Sequence, residues 1–341
     1  MPRPSETALW SDRFFGPLCG EIYRRHLLPP ERTAEETEFV EKLLGRPRAG
    51  DGPVLDLACG FGRHARLLAR RRPVVALDLN LGYLREARRG LRGATAARMA
   101  PVRADMRALP FADARFSAVL FLFNSFGYFE ADGAPPPSTP AGPRREIWKL
   151  PEVFYRRELV KPDFGVYQGH GAPAAIPAPP ITGMGPSTAP DKAAQATGAD
   201  PNLDVLREAA RLLAPGAPLV IEAPNPAPLI EAIRREPRRH VIHHPLHIEE
   251  EFAYDEDRRT LSNRTRFRLG RREEDGEYTL RLYTRAELAA ALRTCGLKVT
   301  ATYGDYDGET FHATRSGSIL MHAVVAQGAT LTDSNPEKRT R

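Results

Sequence analysis

Between residues 52 and 129 short apolar runs alternate with segments whose apolar residues recur every three to four positions. "PVLDLA", "PVVALDL", "ARMAPVRAD" and "FSAVLFLFNSF" read as strands, and "GRHARLLARR" and "LGYLREARRGL" read as amphipathic helices between them. Near-continuous apolar strands separated by helices predict a parallel sheet covered on both faces. Ahead of the first strand, "AEETEFVEKLL" has helical spacing, and Thr33 with Glu36 predicts a capping box at its start. The rhythm resumes after residue 200. "NLDVLREAARLLAPGAPLVIEAPN" predicts a helix ending near Gly216 and a strand over 218–223, and "TRAELAAALRTCGL" predicts a helix with a Thr284–Glu287 capping box. "KVTATYGD" and "SILMHAVVA" read as closing strands. From about 240 to 283 the period changes to two ("HIEEEFAYDED", "NRTRFRLG", "EYTLRLY"), which predicts antiparallel strands over or beside the main sheet.

The pattern lapses after Glu130. Fourteen of the 32 prolines fall between Pro135 and Pro201, in segments with the composition of flexible linker. They surround an aromatic island holding Trp148, Phe154, Tyr155, Phe164 and Tyr167, which suits a lid, an oligomerisation arm or a docking segment. The expected organisation is a helical N-terminal cap over 1–48 and a core from 49–130 and 201–327. A Pro-rich insertion spans 131–200 and a polar tail spans 328–341.

Composition narrows the class. With 341 residues, 42% of them hydrophobic, the chain can bury a sizeable core. Its three cysteines lie far apart with no metal-ligand spacing, so neither a disulfide framework nor a metal site is expected. No run has the length or apolarity of a signal peptide or membrane span, so a cytoplasmic protein without a membrane partner is expected. The formal charge of +6 comes from arginines dispersed among acids, which disfavours a dedicated nucleic-acid stripe. A homo-oligomer is left open.

Candidate chemistry concentrates in "VLDLACGFGRHA", residues 54–65. A strand running into closely spaced glycines and then a helix brings bare backbone amides toward a ligand. Gly60, Gly62 and Ala65 satisfy the spacing of dinucleotide folds, and Asp78 lies 18 residues after Gly60, near the distance expected of a ribose-binding acid. Taken alone, that favours NAD. Asp56 points elsewhere: it stands inside the strand end, where a dinucleotide site is apolar, and suits a ligand bearing an ammonium group. Asp105, after the third strand, adds an acceptor for an adenine amine. Three acids ending successive strands on the ligand-binding edge describe an amino acid, a ribose and an adenine in a row, as in S-adenosyl-L-methionine.

"VLDLACGFGRHA", "VVALDLN", "RADMRALPF", "FNSFGYF" and "LREAARLLAPGAPLVIEAPN" resemble, in order, the successive motifs of the class I S-adenosylmethionine-dependent methyltransferases. "LRLYTRAELAAALRTCGLKVTATYGDYDG" is similar to the C-terminal helix and hairpin of their bacterial small-molecule members. The resemblance covers about two thirds of the chain. It departs at Ala58, where a glycine is usual, and in 131–200, which has no counterpart. It implies an α/β, Rossmann-like doubly wound, mostly parallel sheet with an antiparallel closing hairpin. It further implies that Asp56 and the turn Ala58, Cys59, Gly60 and Gly62 hold the methionine end. Asp78 would take the ribose hydroxyls with Leu79 beside the adenine, Asp105 and Met106 the adenine itself, and Phe123 and Asn124 the floor below the methyl group.

The implied activity is methyl transfer to a small-molecule oxygen, nitrogen or carbon by in-line displacement, in which the protein aligns the acceptor and excludes water. An oxygen acceptor also needs a base. Candidates are Tyr128 in the methyl-facing loop and His243 and His244 in "HVIHHPLHIEEE", with His247, Phe15, Tyr23 and Tyr128 as substrate-facing residues and Trp10 and Phe14 near them in the N-terminal segment. "FNSFGYF" lacks the Asn-Pro-Pro-aromatic signature of enzymes acting on nucleic-acid amines. An RNA methyltransferase remains the first alternative, and an NAD-binding oxidoreductase or a non-catalytic cofactor-binding scaffold the second.

Overall fold

A computed structural model of the chain describes residues 14–129 and 200–326. Trp10, the aromatic island, almost all of the 131–200 insertion and the 328–341 tail lie outside the described residues. The main sheet has seven strands in the order β3-β2-β1-β4-β5-β11-β10. The ranges are β1 Val54–Leu57, β2 Val74–Asp78, β3 Met99–Arg103, β4 Ala118–Phe121, β5 Pro218–Pro224, β10 Leu297–Tyr303 and β11 Ser318–Val325. The first five run parallel, and β11 enters antiparallel to β5 and β10. β1 and β4 are buried at every position because helices cover both faces, and the core accordingly splits into two clusters on either side of the sheet. This is the expected α/β Rossmann-like sheet with its closing hairpin. Pro101 is tolerated in β3 because that strand is the sheet's edge.

The helices are α1 Pro17–Ile22, continued by a π-helical turn over Tyr23–Leu27, then α2 Pro30–Leu44, α3 Arg63–Leu68, α4 Leu81–Arg88, α5 Gly93–Arg98, α6 Pro201–Leu212, α7 Pro226–Arg235 and α8 Arg285–Thr294. Two local expectations differ. The segment "ARMAPVRAD" begins in a helix, since α5 runs to Arg98 before β3 starts. Thr33 is not an N-cap: Pro29 and Pro30, with φ already fixed for entry, start α2 four residues earlier. The Thr33 hydroxyl therefore donates within the helix to the Pro29 carbonyl at 3.4 Å, and Glu36 is released for other partners. At Thr284–Glu287 no proline intervenes and the reciprocal capping box forms.

A second sheet, β6 Arg238–His243, β7 Leu246–Asp255, β8 Thr260–Leu269 and β9 Arg272–Arg281, is antiparallel throughout. Its period-two pattern sorts the faces. Leu261, Asn263, Thr265 and Phe267 of β8 are buried, while Arg264, Arg266 and Arg268 point outward. The outward arginines meet acids of β9, Arg266 with Asp275 at 2.8 Å and with Glu273 at 3.1 Å. The inner face packs against α1 through Leu18, Cys19, Ile22, Val241, Ile248 and Phe267, and against α7 through Leu229, Ile233, Phe252, Leu261 and Leu280. The Glu274 carboxylate anchors α1 to this sheet by accepting from the Leu18 and Cys19 amides, both at 3.0 Å. The sheet and α1 thereby form a roof facing the carboxyl ends of β1, β2 and β4.

Candidate active site

Under the roof lies a cavity of about 1670 Å³, larger than the 300–1,000 Å³ usual for one small ligand. Its floor is the turn after β1. Asp56 is third in that strand and almost fully buried. Burial first, and the Asp78 charge after it, push its carboxyl up to about 7, with Arg63 acting in the opposite direction. Asp56 Oδ2 has no hydrogen-bond partner among the described residues. The two glycines that follow do different jobs. A Cβ on Gly60 would meet nothing within 4 Å, so its bare backbone faces open cavity. A Cβ on Gly62 would stand 2.7 Å from the Ala87 Cβ, so this glycine lets α3 and α4 approach. Ala58 also takes a left-handed conformation, φ +53°, where the usual glycine would sit without strain.

Asp78, at the end of β2, accepts from the Gly60 amide through Oδ2 and the Asn80 amide through Oδ1, both at 2.8 Å. The carboxylate keeps lone-pair capacity beyond these amides, so it can fix the turn and still accept from a ligand hydroxyl. Leu79, Asp105 and Met106 line the same cavity. Asp105 is engaged by the Arg107 guanidinium, at 2.7 Å from Nη2. Although burial raises its carboxyl, that pairing holds it below the usual range. Arg107 in turn lies over the Phe129 ring at 4.7 Å.

After β4 the backbone turns left-handed at both Phe123 and Asn124, φ +56° each. This strained pair is clamped by Glu222 of β5, whose Oε2 accepts from the Phe123 amide and the Tyr306 hydroxyl, each at 2.6 Å, while Oε1 accepts from Ser318 at 3.0 Å. Asn124 Oδ1 and Ser125 Oγ are buried without a partner among the described residues. Opposite this loop stand Phe14, Phe15, Tyr23, Tyr128 and Tyr278, with edge-to-face contacts at 4.7 Å for Phe14–Tyr278 and 5.8 Å for Phe15–Tyr128.

The structure does not bring all the expected residues together. Asp56, Ala58, Cys59, Gly60, Asp78, Leu79, Asp105, Met106, Phe123, Asn124, Phe15, Tyr23 and Tyr128 line one cavity, and Gly62 packs immediately behind it. His243, His244 and His247 do not line it. They sit at the β6–β7 turn: His243, the last residue of β6, and His244, in the turn itself, are exposed, and His247 is half-buried because the strand alternation that turns Leu246 and Ile248 inward turns it out. Tyr128 does line the cavity, and burial pushes its phenol well above the usual range. Residues the sequence reasoning missed are Glu36, Arg63, His64 and Glu222. The lone acid in the apolar strand "LVIEAPN" was a readable signal for Glu222. Glu36 was concealed by its apparent capping box.

Glu36 accepts from Arg32 Nε at 2.8 Å, from Arg63 Nη1 and from His64 Nε2 at 2.8 Å. Burial alone would raise its carboxyl, but these three partners hold it down at about 2. His64 is pushed down to about 4 by burial and by Arg63, so it is the neutral donor of that pair. Among the described residues no cluster of three or more His, Cys, Asp or Glu could hold a metal ion, and no helix is long and apolar enough to cross a membrane.

Residues 54–135 match the family described as "Methyltransferase domain". That stretch, from β1 past β4, is similar to the methyltransferase domain family. The fold of the described residues agrees. The CcbJ methyltransferase from Streptomyces caelestis is 19% identical, with 92% of this chain and 99% of that chain covered and a TM-score of 0.61. An S-adenosylmethionine-dependent methyltransferase from Clostridium acetobutylicum is 14% identical, with 90% and 97% covered and a TM-score of 0.59. The sugar N-methyltransferase KedS8 from Streptoalloteichus is 16% identical, with 96% and 100% covered and a TM-score of 0.52. No curated protein sequence matches the chain. The cofactor of this domain class is S-adenosyl-L-methionine, and the cavity has the features to hold it: an orphaned buried carboxylate oxygen at Asp56, an open cradle at Gly60 and a carboxylate with spare lone-pair capacity at Asp78.

Proposed function

We propose that this methyltransferase transfers the methyl group of S-adenosyl-L-methionine to a small-molecule acceptor seated between the Phe123–Ser125 loop and the roof. The reading is carried by the continuity of one cavity, which runs from Asp56 and Asp78 at the strand ends to an aromatic compartment walled by Phe14, Phe15, Tyr23, Tyr128 and Tyr278. Asp56, the Ala58–Gly62 turn, Asp78, Leu79, Asp105 and Met106 hold the donor. Aromatic walls favour a flat or partly apolar acceptor and exclude water from the transfer. The bound cofactor supplies an electrophilic methyl on a leaving group that needs no protonation. The chain's own residues orient the acceptor, with Asn124 Oδ1 accepting a hydrogen bond from its nucleophilic N–H or O–H and Tyr128 donating to its polar groups. Paired arginines on the outer face of the second sheet weaken the case for RNA, because their charge is met by Glu273 and Asp275.

Calorimetry with S-adenosylhomocysteine, followed by transfer assays on small aromatic, amino and hydroxylated acceptors and on bulk RNA, tests this reading. Micromolar binding and salt-insensitive turnover of a small acceptor are expected. Absence of S-adenosylhomocysteine binding removes the reading, and salt-sensitive turnover confined to RNA replaces it.

A further inference from the structure

The roof side of the cavity holds a carboxylate that takes no part in gripping the donor. Glu250 alternates with the buried Ile248 and Phe252 on the inner face of β7 and lines the cavity. In register it stands between Arg239 of β6 and Thr265 of β8. The Thr265 hydroxyl spends its only proton on Asn263 Oδ1, at 2.7 Å, and so has none for Glu250. The Arg239 guanidinium carbon lies 4.4 Å over the Phe252 ring, and its charge acts on Glu250. Burial raises the Glu250 carboxyl above the usual range, and Arg239 works against that rise by favouring the ionised form. Among the described residues nothing donates a hydrogen bond to this carboxylate.

A carboxylate screened from water and given no donor weakens the fold until a ligand supplies one. A ligand hydroxyl supplies a hydrogen bond and no charge. An ammonium supplies both, and its charge is also attracted to the faces of aromatic rings. Phe14, Tyr23 and Tyr278 line the same cavity, and Cys19 of α1 is close enough for the Glu250 charge to act on its thiol. The other acid on this face is already committed. Glu274 accepts from the Leu18 and Cys19 amides, one with each oxygen, which leaves Glu250 as the roof carboxylate open to a ligand.

We propose that Glu250 is the recognition residue for the acceptor and that the acceptor is a cationic amine, its ammonium bound by the Glu250 carboxylate and the rest of the molecule laid against the aromatic rings. The proposal rests on the reading of this compartment as the acceptor site. It narrows the acceptor from any small molecule to one that carries an amino group on a ring or flat carbon frame.

The test is calorimetry on the protein saturated with S-adenosylhomocysteine, with probes of similar shape and different charge. Benzylamine is a cation at neutral pH, benzyl alcohol is its neutral counterpart and benzoate is an anion. The unaltered protein is expected to bind benzylamine at least tenfold more tightly than either of the others. Glu250→Gln is expected to abolish that preference while changing S-adenosylhomocysteine affinity less than twofold, which also shows that the variant is folded. Equal affinity for benzylamine and benzyl alcohol, or no benzylamine binding at millimolar concentration, overturns the proposal and needs no variant. Tighter binding of benzoate overturns it too, since the charge that selects the ligand is then Arg239. A benzylamine preference that survives Glu250→Gln overturns the assignment to this carboxylate. Failure of S-adenosylhomocysteine to bind removes the methyl-transfer reading instead, and the benzylamine preference is then measured on the ligand-free protein.

Discussion

The two walls of the cavity are built on opposite plans. The wall proposed for the donor, from Asp56 to Ser125, presents polar atoms held on a strained backbone: left-handed Ala58, Gly60, Gly62, Phe123 and Asn124, and orphaned atoms on Asp56, Arg63, Asn124 and Ser125. The wall proposed for the acceptor presents aromatic rings in edge-to-face contact, Phe14 and Phe15 just ahead of α1, Tyr128 in the loop after β4 and Tyr278 on β9. Unsatisfied polar groups weaken a fold and prepare it for one particular ligand, while packed rings stabilise it and tolerate several ligand shapes. One wall is specific and costly; the other is adaptable and cohesive.

Substitutions can break this contrast, and the largest effect is expected at Asp56. Its carboxyl titrates near 3.8 when unfolded and at about 7 when buried, a raised value. The stability it contributes is therefore complete below about pH 4 and is lost as pH rises through 7. With the Arg63 and Asp78 charges in place around it, keeping this group ionised above pH 7 costs on the order of 4 kcal/mol. In the ligand-free protein Asp56→Asn should raise Tm at pH 8 but not at pH 4, while weakening S-adenosylhomocysteine more than tenfold by calorimetry. A parallel pH dependence in both proteins would show that this carboxylate is not strained.

Next comes the pair of glycines. Gly62→Ala should cost about 3 kcal/mol in denaturant unfolding, from the clash with Ala87 and the positive φ together. Gly60→Ala should cost about 1 kcal/mol from φ alone, yet reduce S-adenosylhomocysteine affinity at least tenfold. Equal stability losses would deny the division between packing and cradle.

On the acceptor wall Tyr128→Phe should lower kcat about tenfold with little change in Tm, since the ring stays and only the donor goes. Smaller still, Ala58→Gly should raise stability by about 1 kcal/mol, the strain of a left-handed alanine, measured by denaturant midpoint. Smallest is His243→Gln at the exposed turn, expected to change turnover less than twofold; a larger loss would return the histidines to the reaction.

The same contrast explains what the chain disclosed before it was folded. The donor wall was legible at Asp56, Gly60 and Asp78 because strand ends, turn glycines and helix starts are local and lie within 25 residues of one another. The roof was legible as antiparallel strands but not as a wall: Glu274 reaches Leu18 across 256 residues, and nothing near either announces the pairing. His247 lies outside the cavity because a period of two sends the neighbours of Leu246 and Ile248 to the opposite face, and His243 and His244 because the strand ends there in a turn. Glu36 was misjudged because Pro29 and Pro30 shifted its helix start, which turned an apparent cap into the support of Arg63.

The roof sheet has a further consequence for how such an enzyme changes over time. It leaves the core after Arg235 and returns at Arg285, and between those points it shares no strand pairing with the main sheet. Its contribution to the cavity comes through one face, while Asp56, Asp78 and Glu222 belong wholly to the sheet beneath. On the function proposed above, acceptor choice can thus drift by exchange of a cassette, strand by strand, while Asp56, Asp78 and Glu222 stay in place. New chemistry for this scaffold is to be sought in residues 238–281 before any change is made to its glycine turn.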